Sequence, residues 1–285
     1  MVAAVLSIAA SARAQDAPGA PFDRVSFFVG LDGSKQPQDL GINANIGPRF
    51  AINAGIPVSA TNGLGVQIGA AVNLSDSAVH VLDQVEGTSR RSQVFLTAGV
   101  FQRLTRGSWA LAYDLVREQY YDTFTLAQVR GEGSVRLSGK DELGIAFGLG
   151  ARGEDGSVGD VRVRLEPIAQ ALAFSRHEWS AGGRTTLWVG LASGHHNEVL
   201  VIPDASFDRH VLVYGARLDL PLNSRVSVTG AANLITPAAT GTVDAFMGIT
   251  IRTSRARPQQ RTRTSPLLDV ANNTELPVDL TVLSR

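Results

Sequence analysis

The chain has 285 residues with 26 basic and 26 acidic side chains, so no net field draws it to nucleic acid. It contains no cysteine, which excludes disulfides, thiol catalysis and cysteine-ligated metal. Mean hydropathy is only +0.05, and beyond the N-terminus no run of about 20 apolar residues occurs, which excludes a helical membrane protein.

Residues 1–14 are rich in Val, Ala and Leu and end in Ala12-Arg13-Ala14, a small-x-small pattern before Gln15. They read as a secretory signal, one that lacks its basic n-region, followed by a linker over 15–23. The stretch that fixes the fold is Gly63 to Leu74, GLGVQIGAAVNL. Leu64, Val66, Ile68, Ala70, Val72 and Leu74 are apolar at every second position, and the residues between them are small or polar. This is the period of a β-strand with one face in an apolar medium. Its length exceeds that of an ordinary globular strand and suits a tilted, membrane-spanning one.

The pattern recurs, predicting strands near 24–31, 47–57, 63–74, 92–103, 108–117, 124–137, 141–152, 164–176, 183–193, 209–220, 224–235 and 242–252. Outward sets are clearest at Phe50, Ile52, Ala54 and Ile56; at Trp109, Leu111, Tyr113 and Leu115; and at Leu143, Ile145, Phe147 and Leu149. Leu187, Val189 and Leu191, and then Val243, Ala245, Met247, Ile249 and Ile251, continue them. Alternation is poor near 92–103 and 164–176. Short connections, such as Thr105-Arg106-Gly107, tend to alternate with longer ones, the habit of outer-membrane barrels with short periplasmic turns and an even strand count. The predicted fold is therefore all-β: a single antiparallel transmembrane β-barrel of about twelve strands in an up-and-down meander over 24–252. An even count puts both termini in the periplasm.

Residues 253–285 differ from the rest. Five arginines between Arg252 and Arg263, with Pro258, Gln259 and Gln260, read as solvated linker. Pro266-Leu267-Leu268, Asn272-Asn273 and the alternation Leu276-Pro277-Val278-Asp279-Leu280 follow. The region is expected to be a basic, largely disordered tail, with two functional alternatives: a periplasmic contact to an anionic polymer, or a segment tucked into the barrel mouth.

Phe28-Val29-Gly30-Leu31-Asp32-Gly33, Val85-Glu86-Gly87, Gly99-Val100-Phe101-Gln102-Arg103, Arg164-Leu165-Glu166-Pro167-Ile168, Leu187-Trp188-Val189-Gly190-Leu191 and Thr240-Gly241-Thr242-Val243-Asp244-Ala245 carry a resemblance. In these segments the chain resembles an uncharacterised family of predicted outer-membrane β-barrel proteins from environmental bacteria. The resemblance spans roughly 24–252 and implies a location and a fold, but no reaction.

With the outward sets fixed, the lumen receives Arg49, Arg103, Asp114, Arg130, Glu132, Arg136, Glu166, Arg217, Asp219 and Asp244, with Asn53, Gln67, Asn73, Gln128, Gln170 and Arg252. An arginine facing lipid at the midplane would cost about 2–4 kcal/mol, so their collection on one face favours a closed barrel. Two readings follow: a narrow channel with mild anion preference, or a lumen shut by Arg–carboxylate pairs. His195-His196 with Glu198, Asp204, Asp208 and His210 reads as a polar loop rather than a zinc site. A hydrolase built on His210, Ser206 and Asp208 lacks a Gly-x-Ser-x-Gly elbow, so no catalysis is expected. Glu154-Asp155-Gly156-Ser157 with Asp160 lacks the spacing of an EF-hand. No cofactor or metal is called for. The expected partners are outer-membrane lipid, the outer-membrane assembly machinery and small polar or anionic solutes, with no nucleic acid and the oligomeric state open. The rival from another class is a soluble or surface-attached β-sandwich that binds carbohydrate or protein.

Overall fold

The computed structural model describes residues 25–39, 44–59, 62–77, 89–195, 208–236, 242–253 and 265–284; the expected signal and linker, much of the His195–His210 loop and residues 254–264 lie outside them. The strands are β1 Val25–Lys35, β2 Asn45–Ser59, β3 Leu64–Ser77, β4 Arg90–Leu104, β5 Gly107–Gln119, β6 Thr123–Arg136, β7 Asp141–Arg152 and β8 Glu154–Val158. They continue as β9 Val161–Pro167, β10 Gln170–Glu178, β11 Arg184–His195, β12 Asp208–Pro221, β13 Val226–Thr236, β14 Thr242–Arg252 and β15 Val278–Ser284. Twelve of them form one closed barrel, in chain order apart from the excursion of β8 and β9. Antiparallel pairing of β1 with both β2 and β14 closes the ring, with Val29 opposite Phe50 on one side and Ile249 on the other. Closure leaves no room for the open edges of a β-sandwich.

Alternation sorts the side chains. The outward sets anticipated from the sequence lie on the outer surface, where Ile145 is 68 % exposed and Met247 66 %. On the opposite face of the same strands Asp114, Asp244, Gln128 and Asn73 are buried. An apolar exterior around a polar interior inverts the ordinary globular arrangement and is the pattern of a barrel solvated by hydrocarbon. Val25, Arg252 and the turns at 105–106 and 137–140 share one end, hereafter the short-turn end. The opposite end carries the longer connections.

Two expectations change. The strand anticipated at 164–176 is two strands. Val161–Pro167 belongs to a hairpin with Glu154–Val158 at the long-loop end, and only Gln170–Glu178 enters the barrel wall, pairing with β7 and β11. Pro167 has no N–H to continue a ladder. Beyond it the large apolar residues change parity, from Val163 and Leu165 to Leu172 and Phe174, which explains the poor alternation there. The second change concerns the C-terminal region. Where a disordered tail was anticipated, residues 265–277 run inside the barrel, and β15 pairs antiparallel with β9 beyond it, with Leu280 opposite Leu165. The ends of the barrel, Val25 and Arg252, do share one side, but β15 lies at the other.

The main apolar core is consequently inside the lumen, in its long-loop half. Phe95, Val116, Phe124 and Leu126 of the wall meet Val163 and Leu165 of the hairpin and Val270, Ala271, Leu276 and Leu280 of the C-terminal segment. The wall makes room for the segment with small residues on β3. A Cβ at Gly69 would overlap Val270 Cγ2 and approach the Ile52 carbonyl oxygen to 2.9 Å. Gly69→Ala is therefore expected to destabilise the detergent-held barrel by about 1–3 kcal/mol through overpacking. Combining it with Val270→Ala should recover part of that loss, read as the midpoint of heat-modifiable gel migration. An unobstructed strand position would instead gain stability from Gly→Ala, and that outcome would remove the close passage.

Candidate functional site

The site is the lumen, and its wall is polar because every second residue of each strand must point there. At the long-loop end Arg91 lies in a buried cluster, bonded to Glu118 at 2.6 Å and to the Ser34 hydroxyl at 3.0 Å, with Asp39 at 3.6 Å. At mid-height Arg130 grips Asp114 with two donors, Nε at 2.7 Å and a terminal nitrogen at 3.2 Å. Thr97 and Gln128 also donate to that carboxylate, at 2.7 and 3.0 Å. Towards the short-turn end Arg176 bridges Glu142 and Glu132, at 3.1 and 3.4 Å, and Arg252 reaches Asp219 at 2.9 Å.

The C-terminal segment is held mainly through its carbonyl oxygens. Arg103 donates to Ser265 and Pro266, Asn53 and Gln67 to Leu268, Arg130 to Asp269, Arg49 to Val270 and Ala271, and Gln128 and Gln170 to Glu275. In return the Ala271 N–H donates to Thr97 at 3.0 Å. Asn273 bonds both Gln93 and Asp32, the latter at 2.8 Å. Two segment carboxylates face wall arginines: Asp269 pairs with Arg217, and Glu275 lies 3.6 Å from Arg130. A charged donor bound to a carbonyl or carboxylate makes a stronger bond than a neutral one, so the arginines anchor the segment.

Between segment and wall, in the short-turn half, lies a cavity of about 230 Å³. Arg130, Arg176, Arg184, Arg217 and Arg252 line it against Glu132 and Asp219, with Leu172, Phe174 and Trp188 as apolar wall. It reaches the short-turn end at Val25 and Arg252. Above it Phe95, Leu126 and Leu276 are fully buried, and Leu165 and Leu280 of the β9–β15 pair pack in the same apolar cluster at the long-loop end.

Arg49, Asp114, Arg130, Asp219 and Asp244 are buried on the inner face of their strands, Glu132 and Arg217 line the cavity, and Arg103 donates to Ser265. Asp244 accepts from Gln36 at 2.9 Å. Arg136 projects at the exposed short-turn rim. Glu166 is displaced altogether: it belongs to β9 and lies 3.5 Å from Arg164 in the hairpin, outside the barrel wall. That displacement follows from the strand break at Pro167. Sequence reasoning missed Arg91, Glu118, Glu142 and Arg176. The anticipated strand at 92–103 begins two residues late, and the parity of Arg103 carries Arg91 inward. Glu154 and Asp155 serve the hairpin, bonding the Thr125 N–H and pairing with Arg164. Among the described residues no group of three His, Cys, Asp or Glu is placed to hold a metal. Ser206 and most of the histidine loop lie outside the description.

A closed antiparallel ring of twelve strands, apolar outside and polar within, defines an outer-membrane-type β-barrel, here with an occupied lumen. The chain belongs to the Family of unknown function (DUF6666), whose model matches residues 24–278 and so includes the lumenal segment. No curated protein matches the chain. Among solved structures it is similar to the COG4313 outer membrane channel from Pseudomonas putida F1, at 10% identity and a TM-score of 0.54, covering 85% of this chain and 99% of that one. It is also similar to a KdgM porin, at 6% identity and a TM-score of 0.45, covering 79% and 98%. The outer membrane phospholipase A from Escherichia coli follows, at 8% identity and a TM-score of 0.43, covering 86% and 96%. At these identities the likeness is one of fold.

Asp39, in the short 3-10 turn Pro37–Asp39 after β1, yields a test of the long-loop cluster. Burial pushes its carboxyl up to about 7, against the opposing pull of Arg91 and of the Gln36 N–H, and Glu118 adds to the rise. Between about pH 4 and 7 the folded chain keeps a proton that the unfolded chain has lost, so this contribution to stability is complete below pH 4 and is lost as pH rises through 7. The detergent-held protein should thus melt at a lower temperature at pH 8 than at pH 5. Asp39→Asn should flatten that difference.

Proposed function

We propose that the protein spans the bacterial outer membrane as a porin-like barrel, short turns in the periplasm and long loops outside, and that its own C-terminal segment closes it in this state. The carrying observation is that residues 265–277 occupy the lumen, with the apolar cluster around Leu276 above a cavity lined by five arginines. An apolar constriction of this kind opposes the passage of water and ions, whereas the wall below it is polar. With the segment withdrawn, the arginines that now hold its carbonyls and carboxylates would line a path for small polar or anionic solutes, because their positive charge would no longer be matched by Asp269 and Glu275. No reaction is assigned: among the described residues the buried carboxylates of Asp114 and Glu118 are engaged by arginines and amides.

A permanently closed barrel with a structural role is the second reading, favoured by the same apolar layer. Planar-bilayer recordings separate the two. The full-length protein should be silent, and a variant lacking residues 265–285 should give conductance steps with anion preference, reduced by Arg130→Gln and Arg217→Gln together. Steady conductance of the full-length protein would overturn the closed state. A truncated barrel that folds, migrates as heat-modifiable and remains silent would favour the structural role.

A further inference from the structure

The barrel brackets the C-terminal segment at both ends. The last wall strand ends beside the first, where the Thr253 N–H donates to the Val25 carbonyl at 3.1 Å, at the short-turn end. The described chain resumes at that same end, with Ser265 and Pro266 on Arg103, next to the last residue of β4. It then climbs past Asn53 and Gln67 at mid-wall to Gln93 near the start of β4. It leaves the lumen where the Ile168 N–H donates to the Pro277 carbonyl at 2.9 Å. Beyond that point β15 runs outward along β9, from Val278 opposite Pro167 to Ser284 opposite Arg162. The chain thus enters a closed ring at one end and emerges at the other.

Beside the apolar packing of Val270 and Leu276 and the side-chain bonds of Asp269 and Asn273, two modes of recognition act on its main chain. Within the lumen long wall side chains take successive carbonyl oxygens, which every residue possesses. At the far end β9 takes the segment by strand addition, again through main-chain pairing. Small residues at Gly69 and Ala71 leave the width that a polypeptide backbone needs.

We infer that the lumen is a polypeptide conduit: it binds the chain's own C-terminal segment by its main chain and delivers β15 to the opposite face of the membrane, where the β8–β9 hairpin captures it. The inference rests on the reading of this barrel as membrane-spanning, and it adds an occupant, a direction and a receiving edge. It makes the hairpin a docking strand rather than a solute-facing loop.

The absence of native cysteine permits a direct test with the full-length chain in cells. Single-cysteine variants Asp160→Cys at the hairpin tip, Ser224→Cys in a short turn and Leu283→Cys in β15 are treated with a membrane-impermeant maleimide before and after outer-membrane permeabilisation. Heat-modifiable migration certifies that each has folded. Leu283→Cys should label under the same condition as Asp160→Cys and under the opposite condition to Ser224→Cys. With the long loops outside, that means full labelling on intact cells for the first two and a gain only on permeabilisation for the third. Leu283→Cys labelling alongside Ser224→Cys would overturn the conduit while leaving the spanning barrel intact. Asp160→Cys and Ser224→Cys behaving alike would sink the spanning reading, and the conduit with it.

Discussion

A strand in hydrocarbon has no water to satisfy its N–H and C=O groups, so each must find a partner in a neighbouring strand and the sheet must have no free edge. Here that condition is met by the pairing of β1 with β14, ten residues deep from Ser26 opposite Arg252 to Lys35 opposite Val243. The rest of the arrangement descends from it. Once the ring is closed, the pleat divides every strand into a lipid side and a lumen side, and the apolar residues have only one side on which they cost nothing. Phe50, Leu111, Leu191 and Met247 therefore face outward, and Arg49, Asp114 and Asp244 of the same strands are buried in the interior.

Confinement creates a second problem, which the C-terminal segment resolves. An eight-stranded ring can be filled by its own side chains, while rings of sixteen or more leave a water channel; twelve strands fall between. Here one extended chain, residues 265–277, runs along that lumen. The segment packs Val270 and Leu276 into the upper half and supplies the lower half with backbone carbonyls and two carboxylates. A buried guanidinium is costly unless its donors are met, and at Arg49, Arg103 and Arg130 the segment meets them. Wall and segment are in this sense one folded unit, and the family match extends across both.

Much of this was legible in the sequence because a period of two is a local property. The run from Leu64 to Leu74 needs no knowledge of the remaining chain to declare its two faces, and the inward placement of Arg49, Asp114, Arg217 and Asp244 follows from counting along their strands. What failed was non-local. Leu165 and Leu172 look alike as alternating apolar residues, but one packs in a hairpin and the other in the barrel wall, and only the fold around Pro167 separates them. Glu166 was carried into the lumen by that same error. The C-terminal segment was hidden for a related reason. A short stretch such as 265–277, with two prolines, buries too little of its own surface to order itself, and this one is ordered by partners that lie about two hundred residues away, as Asn53 does from Leu268. The clue was on the other side of the contact: small and amide-bearing residues at Gly69, Gln67 and Asn53 suit a wall that faces another chain better than one that faces bulk water.

The two halves of the lumen also differ in how reversible their closure is. In the long-loop half the segment is secured by apolar packing, by a strand ladder on β9 and by the buried bonds of Asn273 to Gln93 and Asp32. In the short-turn half it is secured by arginines to carbonyls and carboxylates beside a cavity that reaches solvent, where water can replace each bond in turn. Withdrawal towards the short-turn end would require the dry core and the β15–β9 ladder to break first, since the apolar residues beyond Ala271 must then pass the narrow, charged half below. Loosening of the lower half alone would free only Ser265 to Asp269 and enlarge the cavity without opening a path. On the proposed reading the upper half sets whether the lumen is closed, and the lower half sets what its wall would meet.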